Sequence, residues 1–357
     1  MAKSITRADI KDLLREELFQ AINPLGVESF RVEQILEWIY KKGILDFDGM
    51  SNLSLKLRKG LNEKFYISNL EPVKQLTSKD GTKKFLFALE DSQRIESVFI
   101  PSKKTNTVCV SSQVGCKFSC KFCASGKAGF IRDLRPAEMV NQVLSLRGRF
   151  SSRYVKPHRE PSPITNIVFM GMGEPFDNYE NVVKAVRILN APYGLGIGQR
   201  KITISTCGLI PEIKRFAEEK LQVELSISLH SANDKVRSSL MAINNKYPLK
   251  DLIEACKEYI KKRNRQVTFE YVLIKDKNSS EKDADALARL IKGMLVKVNL
   301  ISFNPVEGLD YFAPEKYSVK KFKDILDRNG IISTIRCPRG TDIDAACGQL
   351  RLRNEKK

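Results

Sequence analysis

The densest concentration of chemistry in the chain is Cys116-Lys-Phe-Ser-Cys120-Lys-Phe-Cys123, three thiols at CxxxCxxC spacing. Thiols this close on one loop can converge on a single metal centre, and three readings compete. A zinc site normally takes four protein ligands, yet neither a second Cys pair at ribbon spacing nor a neighbouring histidine is present. Inert structural thiols would be scattered and buried rather than clustered. A [4Fe–4S] cluster usually takes four cysteines; held by three, it keeps one iron open for a substrate or cofactor. The cluster reading is favoured. Only two histidines occur, His158 and His230. That excludes a site with three His ligands and makes His-centred acid–base catalysis a poor first expectation.

Other candidate groups are scattered along the chain. Gly171-Met172-Gly173-Glu174-Pro175 follows an apolar run, where glycine lets a ligand approach the backbone and Glu174 can accept hydrogen bonds from an ammonium group. A tight turn is the plainer reading of the same residues. Ser205, Ser228, His230 and Asn304 fall at or near the ends of strand-like runs. Taken alone, Cys109 reads as a core thiol, Cys347 as an incidental residue of a C-terminal tail, and Glu96 as an outward-facing strand residue. Cys207, Cys256 and Cys337 have no assigned chemistry, and Cys256 lies on the apolar face of a helical pattern.

The elements that must position these groups follow from periodicity. Residues 1–70 read as helical, with DIKDLLREELFQ, RVEQILEWIYKK and SLKLRKGLNEKF placing apolar residues at i, i+3 and i+4. Trp38 lies on the second of these stripes and reads as core. Residues 71–101 change period, and KKFLFALEDSQRIESVFIP predicts two strands around Glu90-Asp91-Ser92. Beyond this hairpin connector, strand-like runs at 106–112, 164–171, 201–206, 223–230, 267–274, 297–304 and 331–336 alternate with amphipathic stretches. That alternation predicts a parallel sheet covered by helices, an α/β fold better suited to a partial (β/α) barrel than to a complete eight-fold one. Ligands are expected at the C-terminal ends of its strands. The implied division is a helical domain at 1–70, the connector at 71–101, the barrel at 102–340 and a tail at 341–357.

Composition limits the setting. The 357 residues carry 61 Lys+Arg against 42 Asp+Glu, a formal charge of +19, which points to a polyanionic partner. The positive charge gathers at 56–60, at Arg147 to Arg159, at 261–265 and at 351–357. Arg147, Arg149, Arg153, Lys156 and Arg159 form the best candidate for a loop that orders on a polyanionic partner. Eight cysteines in a chain of this length are too sparse for a disulfide scaffold. No apolar run approaches the ~18 residues needed to span a bilayer, and the charged N-terminus lacks a signal-peptide apolar region. A cytoplasmic protein with no membrane partner is expected.

With these residues in view, the chain resembles a known family. CxxxCxxC after the first strand of an α/β barrel is the mark of radical S-adenosylmethionine enzymes. CVSSQVGCKFSCKFCASG, GMGEP, STCGL, SLH, FNP and DIDAACGQL together resemble the adenine-C2 methyltransferases of 23S ribosomal RNA and tRNA. The resemblance covers nearly the whole chain and implies a radical mechanism on adenine 2503 of 23S rRNA and adenine 37 of tRNA. It implies a [4Fe–4S] cluster on Cys116, Cys120 and Cys123, and two molecules of S-adenosyl-L-methionine per methylation. It implies that Cys347 carries the methyl group and that Cys109 resolves the RNA adduct, leaving a transient Cys109–Cys347 disulfide. Gly173, Glu174, Ser205, the segment Ser228-Leu229-His230 and Asn304 would contact the cofactor, and Glu96 would accept a proton. A flavodoxin- or ferredoxin-type donor would supply electrons to a monomeric enzyme. Two alternatives stand beside it: a related methyltransferase of adenine C8 that confers antibiotic resistance, and a non-catalytic, zinc-stabilised RNA-binding protein. The proline of GMGEP, the IESVFIP segment and the long N-terminal region look more like the C2 enzymes.

Overall fold

A computed structural model describes residues 7–127, 129–150 and 164–350. The basic positions Arg153, Lys156 and Arg159, and the run 351–357, lie outside the described residues, as does His158.

The N-terminal elements are β1 (Ala8–Asp9), α1 (Arg15–Ile22), α2 (Phe30–Tyr40), α3 (Leu55–Lys64) and β2 (Phe65–Tyr66), with β1 and β2 paired in parallel. The helix expected across residues 9–20 is interrupted. A 3₁₀ turn at Ile10–Asp12 is capped by Asp9, and α1 begins only after Glu17 accepts a hydrogen bond from the Leu14 amide at 2.7 Å. In α2 the stripe Val32, Ile35, Leu36 and Ile39 is buried as its spacing predicts. Trp38 is at the edge of that stripe, half-buried. Its indole N–H donates to Asn52 at 2.6 Å and the Lys42 ammonium sits 3.6 Å above its ring.

Three antiparallel strands follow: β3 (Pro72–Thr77), β4 (Lys83–Ala88) and β5 (Arg94–Pro101). The period-2 pattern marked only the second and third. Every residue of β3 except Pro72 is exposed, so no buried face imposes alternation on it. β5 pairs antiparallel with β6 (Asn106–Cys109) and joins the meander to the main sheet. A two-stranded ribbon, β7 (Gln113–Gly115) and β8 (Phe130–Asp133), brackets the cysteine loop and the short α4 (Ala124–Lys127).

The remaining elements alternate: α5 (Pro136–Phe150), β9 (Asn166–Phe169), α6 (Tyr179–Asn190), β10 (Ile202–Thr206), α7 (Ile210–Glu218), β11 (Glu224–Ser228), α8 (Asp234–Leu240), α9 (Leu249–Arg263), β12 (Val267–Leu273), α10 (Glu281–Leu290), β13 (Val296–Ser302), α11 (Lys316–Arg328) and β14 (Ile332–Arg336). Strands β6 and β9 to β14 pair in parallel in chain order, within a ten-stranded sheet that runs from β3 to β14 and does not close. The expected partial barrel is borne out, and all seven strand-like runs became its parallel strands. Helices α7 and α8 were not marked by the sequence pattern.

Alternation along the strands sorts two faces. In β12, Val267, Phe269, Tyr271 and Leu273 are buried in the core cluster shared with the covering helices. Thr268 and Glu270 point the other way, into the concave side. Among the described residues no helix is long and apolar enough to cross a membrane.

Candidate active site

Cys116, Cys120 and Cys123 sit on the loop between β7 and α4. The Cys116 amide donates to the Gly129 carbonyl at 2.8 Å, the Cys123 amide to Cys120 O at 3.1 Å, and the Lys121 amide to the Leu240 carbonyl at 2.9 Å. Burial pushes the Cys116 thiol up to about 12, helped by Cys123 and Glu174, and lifts Cys120 well above its ordinary value, helped by Cys123 and Cys116. The three thiols are therefore close enough for their thiolates to repel one another. Coordination to a positive group relieves that repulsion and removes the protons. Among the described residues no three His, Cys, Asp or Glu side chains are gathered tightly enough to hold a single metal ion. Three thiols from one loop match a cluster that keeps one iron open, and they fall one ligand short of the four-ligand cage of zinc.

GMGEP lies directly behind this loop. A Cβ on Gly171 would stand 2.7 Å from Ser111 Oγ and 2.8 Å from its amide nitrogen. Gly173 has φ +99°, and its Cβ would stand 2.6 Å from the Gln113 side chain. The glycines are demanded by the protein's own chain at 110–113, so the tight-packing reading holds whatever ligand is present. Glu174 is buried, and burial raises its carboxyl. Its Oε2 accepts from the Cys207 amide at 2.7 Å and its Oε1 from the Phe176 amide at 3.0 Å. A ligand ammonium would find only the remaining lone pairs.

His230 adopts φ +58° and is buried. Its Nδ1 accepts from the Val272 amide at 3.0 Å, its carbonyl accepts from Asn278, and its ring meets Phe122 of the cysteine loop edge-on at 4.7 Å. Burial, reinforced by the Arg237 cation, pulls its pKa down to about 3, so the ring is neutral. Leu229 is fully buried and offers only backbone. Ser205 and Ser228 are half-buried on adjoining strands, where Ser205 pairs with Ser226 and Ser228 with Glu270. Arg237, a fully buried guanidinium, donates to the carbonyls of Leu229, Cys207 and Ser228 and to Asn244. The sequence offered no signal for it beyond a charged residue in a short helix.

A cavity of about 720 Å³ occupies the concave side of the sheet, and Cys109, Cys347 and Asn304 all line it. Cys109 is buried and its thiol is raised, first by burial and then by Cys347. Cys347 is exposed toward the cavity that it lines, while protein surrounds it on its other sides. Loss of bulk hydration and then Glu270 push it up to about 11. All eight cysteines are free thiols. The tail expected beyond the last strand is instead pinned in place. Asn304 donates to Cys347 O at 3.2 Å, Ala124 N to Gly348 O at 2.7 Å, Ser125 Oγ to Leu350 O at 2.6 Å and Lys84 Nζ to Asp344 O at 3.1 Å. Ala345 and Leu350 pack on Val98, Cys109 and Met172. This cover also corrects the outward-facing reading of Glu96. It is buried and ion-paired with Lys84 at 3.2 Å, because residues 343–350 lie over the face of β5 that solvent was expected to occupy.

The residues missed from the sequence are the polar ones on the concave face, notably Ser226, Glu270 and Asn299. The usable signal was polar residues at every second position of otherwise apolar strands, inward where a packed barrel would be apolar. The basic runs also changed meaning. Arg58 donates to the carbonyls of Asp48, Ser51 and Leu53, while Lys262 pairs with Glu218 and Arg265 with Glu224.

Residues 110–290 match the Radical SAM superfamily, and residues 8–67 match the ribosomal RNA large subunit methyltransferase N-terminal domain. The chain is 48% identical over 350 residues to a protein named "probable dual-specificity RNA methyltransferase RlmN" from Caldanaerobacter subterraneus subsp. tengcongensis, covering 98% of this chain and 99% of that one. It is 45% identical to the protein of the same name from Clostridium tetani, over 98% and 97% of the two chains. The crystal structure of a radical SAM methyltransferase from Sphaerobacter thermophilus superposes with a TM-score of 0.89 at 43% identity, covering 96% of this chain and 99% of that chain. Fold and site thus define a radical S-adenosylmethionine enzyme, a class that works with a [4Fe–4S] cluster and S-adenosylmethionine. Within that class the chain belongs to the RlmN family, and its activity is that of a radical RNA methyltransferase.

Proposed function

We propose that this enzyme methylates C2 of adenine, at adenine 2503 of 23S rRNA and adenine 37 of tRNA, through a methyl group carried on Cys347. The observation that carries the reading is the meeting of Cys109 and Cys347 in one cavity, with the Cys347 segment bonded to the cysteine loop through Ala124 and Ser125. Cys116, Cys120 and Cys123 would hold the [4Fe–4S] cluster, and Gly173, Glu174, Ser205, Ser228-Leu229-His230 and Asn304 would surround S-adenosylmethionine. When bound, that pair supplies one-electron chemistry that an electron-poor aromatic carbon requires and no side chain offers.

The protein's own groups do the rest. Asn304 holds the Cys347 carbonyl and so fixes the thiol's position in the cavity. Cys347 would carry a methyl group and, with one hydrogen atom of that group and one electron taken up by the one-electron chemistry of the bound pair, join it to C2 as a covalent S–CH2–C2 adduct whose C2 proton is lost to a base. The Cys109 thiolate then attacks Cys347 Sγ, the S–C bond to the RNA breaks and the released carbon takes up a proton to become the methyl group, leaving a Cys109–Cys347 disulfide that cellular thiols reduce. Glu96, held by Lys84, is the proposed proton acceptor. Two S-adenosylmethionine molecules are consumed per methylation, electrons come from a flavodoxin- or ferredoxin-type donor, and the enzyme works as a cytoplasmic monomer. The division into 1–70, 71–101, 102–340 and 341–357 is retained as a working scheme.

Mass spectrometry of nucleosides from RNA treated with the reconstituted enzyme tests this. 2-Methyladenosine is expected, and 8-methyladenosine would favour the C8 alternative. Cys347→Ala should abolish product, and Cys109→Ala should accumulate an RNA–protein adduct. Clean turnover by Cys109→Ala removes that thiol from the mechanism.

A further inference from the structure

One acceptor in the cavity has no donor. Glu270 is only 7% exposed and lines the cavity from the middle of β12. Its Oε1 takes hydrogen bonds from Asn299 Nδ2 at 2.9 Å and from Ser226 Oγ at 3.3 Å, which fix the carboxylate plane. Its Oε2 has no hydrogen-bond or ion-pair partner among the described residues. Arg336 and Lys297 are electrostatic neighbours that lie beyond ion-pair distance. Burial raises this carboxyl, its second oxygen is not among the sealed, unpartnered polar atoms, and a ligand donor reaching it from the cavity would favour the charged, acceptor-only form.

The neighbouring Cys347 indicates which donor. Glu270 and Cys347 line the same cavity, and Glu270 is the charged neighbour that most raises that thiol, so a base seated in the cavity against Cys347 also faces Glu270. In adenine, C2 and C6 flank the same ring nitrogen, N1, and C6 bears the exocyclic amine. A base that turns C2 toward Cys347 therefore brings its amine to the same side, within reach of the carboxylate. Guanine would place a carbonyl oxygen there, acceptor against acceptor.

We propose that Glu270, oriented by Asn299 and Ser226, accepts a hydrogen bond from the exocyclic amine of the target adenine and thereby sets base specificity and the presentation of C2. This rests on the adenine-C2 reading above and deepens it.

The test uses RNA hairpins carrying adenosine or purine riboside, which lacks the amine but keeps C2–H, at the target position. Binding is measured by fluorescence anisotropy and turnover by nucleoside mass spectrometry. Wild-type enzyme should prefer adenosine by about 10- to 100-fold in affinity and in kcat/KM, as expected for a hydrogen bond to a charged acceptor. Glu270→Gln should bring the two substrates within about three-fold of each other. Asn299→Ser, which leaves the carboxylate in place but frees it to turn, should give an intermediate preference and guards against misfolding of the first variant. Equal handling of both RNAs by wild type overturns the assignment, as does a preference that survives in Glu270→Gln. If Glu270→Gln instead weakens S-adenosylmethionine binding with base preference intact, the carboxylate serves the cofactor ribose and the inference is wrong. Absence of 2-methyladenosine from the wild-type reaction sinks the C2 reading alone, since the anisotropy comparison needs no turnover.

Discussion

His230 shows how a residue's chemistry is decided by its surroundings. Its ordinary pKa near 6.5 is drawn down to about 3 by burial and by Arg237. The folded state therefore holds fewer protons than the unfolded chain between those values. Stability is full above about 6.5 and fades as pH falls toward 3, by up to ~1.4 kcal/mol per pH unit. His230→Asn keeps an acceptor for the Val272 amide and suits the left-handed backbone, but cannot titrate. Denaturant unfolding at pH 7, 6 and 5 should show wild type losing stability relative to this variant, and parallel curves would refute the buried neutral ring. The cysteine loop was legible because its spacing is local. The partners of Glu270 were not, since Ser226, Glu270 and Asn299 belong to three strands that adjoin only in the sheet.

Among elements, the strand–loop–strand packing of 110–113 against 171–174 is the joint that sets the cysteine loop over the sheet. Gly173→Ala must adopt φ +99° and drive a methyl to 2.6 Å from Gln113, which should cost on the order of 2–4 kcal/mol. Gly148, exposed in α5 with nothing within 4 Å of an added Cβ, provides the contrast. Gly148→Ala should stabilise by about 0.5–1 kcal/mol. Thermal unfolding of the two variants checks both signs. The long amphipathic helices α9, α10 and α11 were readable because one apolar stripe persists over several turns. Short α8, of seven residues, carries too few turns for a stripe to register.

Over the whole molecule, the +19 charge acts as a field, yet several of its members have structural duties. Arg135 joins the N-terminal region to the core by pairing with Asp12 at 3.0 Å and with Glu90 at 3.0 Å. Arg58 closes the 48–53 loop through backbone carbonyls. RNA affinity should fall linearly on a log–log plot against salt, with a slope of roughly −0.7 to −0.9 per phosphate contacted. Arg58→Ala should leave that slope unchanged while lowering stability by about 1–3 kcal/mol. A slope reduced by about one would instead make Arg58 a phosphate contact.

The sequence by itself determined the alternating fold and the three-thiol loop, because ligand spacing and strand and helix periods are local properties of the chain, whereas the roles of Cys109 and Cys347 followed from the family resemblance. Only the tertiary structure decided that residues 343–350 fold back over β5, that Glu96 is buried beneath them, and that Cys109, Cys347 and Glu270 share one cavity. Those facts arise from packing between segments some 80 to 250 positions apart. At such separations a chain carries no periodicity, and the burial of apolar and paired polar groups fixes the contact.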